Sequence, residues 1–165
     1  MKSVLLIRHA KSSWDDPTMQ DFDRPLNERG KKDAPVMATH ILKAGFKIDL
    51  FVSSPAKRAL KTCKIFVKTY DKTTDDILLI DDLYHAGAEV FNQVIKSMDD
   101  NFKRIAIFSH NPGITDFVNS LNADFHIDNM PTCAVCGVKA DIKNWKDWET
   151  AKKITTVFEY PSRLL

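Results

Sequence analysis

The chain has 165 residues, the size of one domain, with 24 Lys and Arg against 22 Asp and Glu and a formal net charge of +2. That balance gives no support to nucleic-acid binding driven by bulk charge, and 44% hydrophobic with 28% charged residues excludes wholesale disorder. No apolar run is long enough to span a bilayer, the opening MKSVLLIRHAKSS has too short an apolar core for a signal peptide, and three cysteines are too few for a disulfide framework; a cytoplasmic protein without membrane contact is expected.

Ser3–Ile7 (SVLLI) is a continuous apolar run that stops abruptly at Arg8-His9, as a strand buried on both faces would. Ala34, Met37, Ala38, Ile41 and Leu42 then follow helical spacing, with Gly45 as a C-terminal stop. Pro35 leaves two starts for this helix: a cap at Asp33, or an earlier turn from Asn27 that kinks at the proline. Asp49–Ser53 is a second strand, and Ala59, Cys63, Phe66, Val67 and Tyr70 form the apolar face of a second helix. Ile77–Ile80 is a third strand, followed by a helix facing inward through Phe91, Val94, Ile95 and Met98. Arg104–Phe108 is a fourth, followed by Ile114, Phe117, Val118 and Leu121. Cys133–Ala140 and Ile154–Tyr160 complete the pattern as two further strands, antiparallel at a sheet edge. Repeated strand–helix alternation predicts one domain over 1–165, a three-layer α/β/α sandwich with a mostly parallel sheet and an antiparallel edge strand.

Open sheets of this kind bind ligands beyond the carboxyl ends of their strands. The first strand ends in Arg8-His9. The second ends in Ser53-Ser54-Pro55, where Ser54 is the expected N-cap and Pro55 the first helical residue, with Arg58 in the first turn. The fourth ends in Ser109-His110-Asn111-Pro112-Gly113, a second helix start. Guanidinium groups bind phosphate oxygens bidentately and stay charged. A histidine among fixed cations keeps its lone pair at neutral pH, which a nitrogen nucleophile requires. These segments predict a phosphoryl-transfer pocket that needs no metal or other cofactor.

L-I-R-H-A at the first strand end, S-S-P-x-x-R-x-x-x-T from Ser53 to Thr62, and S-H-N-P-G at the fourth strand end together resemble the histidine phosphatase superfamily, and the short length with R-H-A resembles its SixA-type phosphohistidine phosphatase branch. The resemblance implies that His9 is the nucleophile that becomes phosphorylated and that Arg8, Arg58 and His110 clamp the phosphate, with Asn111 beside them. The stretch from Asp23-Arg24-Pro25-Leu26 to Gly30 is similar to the family's segment leading into the first helix. It implies a phosphorylated protein, or a small phosphorylated molecule, as substrate and inorganic phosphate as product. Two departures stand out: Ala10 replaces the commoner glycine after the histidine, and the stretch Asp81–Glu89 carries no evident counterpart of the acid motif of better-known branches. Glu89 is the remaining candidate for the proton donor.

Other patterns point elsewhere. Cys133-x-x-Cys136 on a strand would send its thiols to opposite faces, which favours core over redox or zinc chemistry. Lys57, Lys61 and Lys64 look like solvated helix charge, and Trp14, Asp15 and Asp16 like a solvated loop. Phosphomonoesters or phosphoanhydrides are the alternative substrates. A non-catalytic phosphate-binding signalling module is the alternative of another class; a receiver domain would need a lysine at the end of a fifth parallel strand, and none is evident.

Overall fold

The computed structural model describes residues 1–164 and contains one six-stranded sheet in the order β3-β2-β4-β1-β5-β6. Its strands are β1 (Lys2–Arg8), β2 (Leu50–Ser53), β3 (Ile77–Leu79), β4 (Arg104–Ser109), β5 (Val135–Ala140) and β6 (Lys153–Glu159). The helices are α1 (Glu28–Lys43), α2 (Lys57–Thr69), α3 (Ala88–Lys96) and α4 (Gly113–Leu121). β1 to β4 pair in parallel, and β5 runs antiparallel to both β1 and β6. The antiparallel strand therefore lies one place inside the edge, and β6 closes the sheet. A receiver topology is excluded, because the strand after the fourth β–α unit is antiparallel.

Alternation along β1 explains its unbroken apolar sequence. Val4 and Leu6 pack into a core beneath α3 and α4, whereas Leu5 and Ile7 pack into a second core beneath α1 and α2. Both faces of the strand are covered, so its central positions Val4 to Ile7 are all apolar. Cys136 belongs to the first core and Cys133 to the second, and all three cysteines are free and buried. Burial pushes all three thiols up, Cys136 to about 12, so none is a thiolate at neutral pH. Trp145 and Trp148, in the turn between β5 and β6, are fully buried in the first core, where the Trp145 indole donates to the Phe102 carbonyl at 2.8 Å.

One helix start decides between the two that the sequence left open, and another differs from expectation. The Asn27 side chain caps α1 by accepting from the Gly30 amide at 2.8 Å, so the earlier start is the real one and Pro35 sits inside the helix. Helix α2 begins at Lys57 with Ala56 in the N-cap position, not at Ser54. The Ser54 hydroxyl is engaged elsewhere, 2.8 Å from His110 Nε2, and accepts from the Ala56 amide at 3.2 Å. Arg58 keeps its place in the first turn.

Candidate active site

Because β2, β4 and β1 are neighbours and parallel, their carboxyl ends meet at one rim. This brings Arg8, His9, Arg58, His110 and Asn111 to a common cleft of about 210 Å³, from segments up to a hundred residues apart. The antiparallel β5 starts at the same rim, so residues 129–134 pass beside it. The Arg8 amide donates to the Ala134 carbonyl at 3.1 Å, and its guanidinium Nη1 to the Met130 carbonyl at 2.8 Å.

His9 is buried, and its Nδ1 lies 2.8 Å from the Ala10 carbonyl oxygen. Because a carbonyl can only accept, Nδ1 carries the proton and Nε2 keeps its lone pair. Arg58 Nε donates to that Nε2 at 3.3 Å. Burial pushes the His9 imidazole down to about 3, with His110, Arg58 and Arg8 adding repulsion and the Ala10 carbonyl opposing them. His110 is likewise pushed down to about 3, first by burial and then by Arg58. The two rings lie 5.1 Å apart between centroids. Thr62 ties the nucleophile strand to α2: its hydroxyl accepts from the Ala10 amide at 3.0 Å and donates to the Arg58 carbonyl at 2.8 Å.

The loop after β1 adds residues that strand-end reasoning does not reach. Arg24 is buried against Ser12, its Nη2 donating to the hydroxyl at 2.7 Å, and its guanidinium carbon lies 3.4 Å from the centroid of the Trp14 ring. Both Arg24 and Trp14 line the cleft, so Trp14 is not merely part of a solvated loop. Asp21 reaches in from the same segment. Its carboxylate accepts from Arg58 Nη2 at 3.0 Å and from the Tyr84 hydroxyl at 2.7 Å, and its carbonyl accepts from Arg58 Nη1 at 2.7 Å. Burial alone would raise Asp21, but the Tyr84 hydrogen bond and Arg58 outweigh it and hold the carboxyl below its ordinary range. A hint of this segment was present in the Asp23–Gly30 resemblance; Asp21, Tyr84 and the 129–134 segment had no local signal.

The cleft is cationic. Arg8, Arg24, Arg58 and Lys11 line it, and no carboxylate does among the described residues. Arg8 Nε, Arg24 Nη1 and His110 Nδ1 are buried without a protein partner. Such a donor set suits a phosphoryl group and repels a metal cation. A second cleft of about 510 Å³ adjoins it and includes Asp21, Tyr84, His85, Gly113 and Asp116.

Two candidate residues are placed differently from the others. Asn111 lines the cleft, but its Nδ2 donates to Asn129 Oδ1 at 2.7 Å and to the Met130 carbonyl at 3.1 Å. Both side-chain donors are thereby turned to the 129–130 segment, which makes Asn111 an anchor for it. Glu89 is exposed at the start of α3 and lines neither cleft.

Comparison with known proteins agrees with this geometry. An uncharacterized chloroplastic protein of Arabidopsis thaliana is 27% identical over 154 residues, 88% of this chain and 70% of its own length. A 2,3-bisphosphoglycerate-dependent phosphoglycerate mutase of Gloeothece citriformis is 31% identical over 74 residues, covering 44% of this chain and only 32% of the mutase. Among solved structures, the protein histidine phosphatase SixA complexed with tungstate superposes with a TM-score of 0.83 at 18% identity, over 99% of both chains. SixA of Agrobacterium tumefaciens gives 0.81 at 24% identity, over 97% of this chain and 98% of that one. At these identities the likeness shows a shared fold. The family model of the histidine phosphatase superfamily (branch 1) matches residues 4–84, which run from the strand leading into His9, through Arg24 and Arg58, to Tyr84. In its fold, and over that match from the first strand to the loop facing the cleft, the chain is similar to the histidine phosphatase superfamily.

Proposed function

We propose that this protein is a metal-independent phosphatase that forms a phosphohistidine at His9, with phosphohistidine on a partner protein as substrate and inorganic phosphate as product. His9 Nε2 attacks phosphorus in line. The bond from phosphorus to the substrate imidazole breaks, and that ring leaves as a neutral group on gaining a proton from solvent. Water then attacks the phosphorus on His9 and releases phosphate. Arg8, Arg58, His110 and, from the structure, Arg24 stabilise the charge on the non-bridging oxygens, as preorganised donors do in phosphoryl transfer. The Ala10 carbonyl holds the reactive tautomer, and depressed basicity keeps Nε2 free at neutral pH.

The state of Asp21 carries the substrate assignment. It is the carboxylate that touches the cationic cluster, and it is held ionised, so it does not serve as an acid. An alkyl phosphate releases a strongly basic alkoxide and gains about 10²–10⁴-fold from a positioned acid. Imidazole, protonating with a pKa of ~6.5, leaves without one. The SixA likeness supports the same substrate class, whereas the local similarity to a mutase favours a second reading, a small phosphomonoester. Three buried free thiols support a reducing compartment such as the cytoplasm.

Steady-state rates on a phosphohistidine peptide, phosphoramidate, p-nitrophenyl phosphate and phosphoserine test the assignment. The first three should turn over much faster than phosphoserine. Comparable rates on phosphoserine would reveal a competent acid and overturn it. Loss of all turnover in wild type, with phosphate still bound, would favour the non-catalytic module.

A further inference from the structure

Helix α2 carries a charge pattern that the phosphate cleft does not use. Lys57, Lys61, Lys64 and Lys68 recur at i, i+4, i+7 and i+11, a stripe about 16 Å long within roughly 60° of arc. All four are exposed, none forms an ion pair among the described residues, and α2 contains no acidic residue. Like charges at this spacing destabilise a helix. Among the described residues no ion pair offsets that cost.

The stripe borders two contiguous grooves of about 320 and 1170 Å³ between α1 and α2, which share Lys31, Lys61 and Lys64. The smaller groove has an apolar floor of Pro25, Leu26 and Leu60, whereas the larger is lined mostly by lysines and threonines around Pro35 and Ile65. One end abuts the phosphate cleft in sequence: Lys57 precedes Arg58, and Pro25 follows Arg24. Asp71, the one acidic lining residue among the described residues, belongs to the larger groove. Lysine rims over an apolar floor match a helix with one apolar and one acidic face. Nucleic acid is the poorer fit, since neither arginine forks nor aromatic stacking platforms line the grooves.

We propose that this groove docks an acidic amphipathic helix of the protein whose phosphohistidine the cleft hydrolyses, a proposal that rests on the reading of the cleft above. Docking there would deliver the phosphorylated residue to His9 and raise the encounter rate in a salt-dependent way.

A fluorescent 18-residue peptide with a glutamate face and a leucine face is the binding probe, compared with a lysine-faced counterpart. The same acidic helix bearing phosphohistidine is the substrate, with p-nitrophenyl phosphate as the small control. The combined Lys61→Glu, Lys64→Glu, Lys68→Glu variant should bind the acidic peptide at least tenfold more weakly and raise its KM. Turnover of p-nitrophenyl phosphate and kcat on the peptide should be unchanged, and wild-type affinity should fall between 50 and 200 mM salt. Equal affinity and KM in variant and wild type would overturn the proposal. So would tighter lysine-dependent binding of an RNA oligonucleotide or a phosphatidylserine vesicle than of the acidic peptide. Lysine-dependent peptide binding without phosphohistidine hydrolysis would instead uphold the surface and overturn the reading of the cleft.

Discussion

On the phosphate side of His9 the reactive and cationic groups are tied to backbone: Arg8 to the Met130 carbonyl, Arg58 to the Asp21 carbonyl, and His9 itself to Ala10. On the side of Tyr84 and His85 the groups are held by one another. Tyr84 bonds the Asp21 carboxylate, and His85 is exposed, its ring tilted by 35° against Tyr84 at 3.9 Å between centroids, with a left-handed backbone at φ 62°. The difference shows where rigidity is needed. Stabilising charge that develops on a phosphoryl group requires fixed donors, since donors that must reorganise contribute less. A leaving group that is itself a protein side chain brings its own framework, and an open, loop-built side accommodates it.

The comparison breaks first at Arg58. Arg58→Ala should reduce kcat/KM by roughly 10²–10³-fold, the loss of one strong preorganised donor, or about 2–4 kcal/mol. Arg58→Lys should recover only part, because an ammonium cannot reproduce the fork. Equal activity of the lysine variant and wild type would place Arg58 away from the phosphate.

The loop side is joined to the rigid side at Gly113. A Cβ there would meet the Ala86 carbonyl oxygen at 1.8 Å, so the start of α4 can approach the 84–87 loop only without a side chain. Gly113→Ala should cost about 1–3 kcal/mol of stability, as overpacking does, in a denaturant titration. It should also slow bulky substrates more than p-nitrophenyl phosphate. Unchanged stability would show that the loop yields freely.

Asp21 bridges the two sides through a half-exposed ion pair, so its removal should matter less. Asp21→Asn should change kcat/KM by no more than about fivefold, in line with the ~0.2–1 kcal/mol of exposed pairs. A hundredfold loss would make the carboxylate part of the chemistry.

Acidification should have the smallest effect on the protonation of the site. Both imidazoles should remain neutral by ¹⁵N NMR down to pH 5, since burial and neighbouring cations push each to about 3. The unfolded chain binds protons at these histidines from about pH 6.5 downward, whereas the folded protein binds them only near 3. The unfolded state therefore holds more protons across that window, and stability should fall as pH drops through it. Titration of either ring near 6.5 would contradict this cage of cations.

The same contrast governs what could be seen in the sequence. Strand ends were legible because an apolar run buried on both faces stops sharply where the chain reaches the rim, as SVLLI does at Arg8-His9. Ordering the runs then placed Arg58 and His110 beside them. Asp21, Tyr84 and residues 129–134 reach the site by long-range contacts from irregular segments, and no periodicity marks such contacts. Ser54 shows the opposite limit. It has the local signature of a helix cap, yet a tertiary hydrogen bond to His110 claims its hydroxyl, and the helix starts at Lys57. The position of β5 inside the edge depended on pairing order, which strand pattern alone leaves open.

Rapid chemical quench with ³²P-labelled phosphoramidate, followed by peptide mapping, tests most directly whether His9 accepts the phosphoryl group. An acid-labile, alkali-stable phosphate should appear on Nε2 of His9 within the first turnover. His9→Ala should abolish both the label and turnover, by about 10⁴-fold or more, as removal of a nucleophile does. A hydroxylamine-sensitive label on a carboxylate, or near wild-type turnover in His9→Ala, would contradict the account.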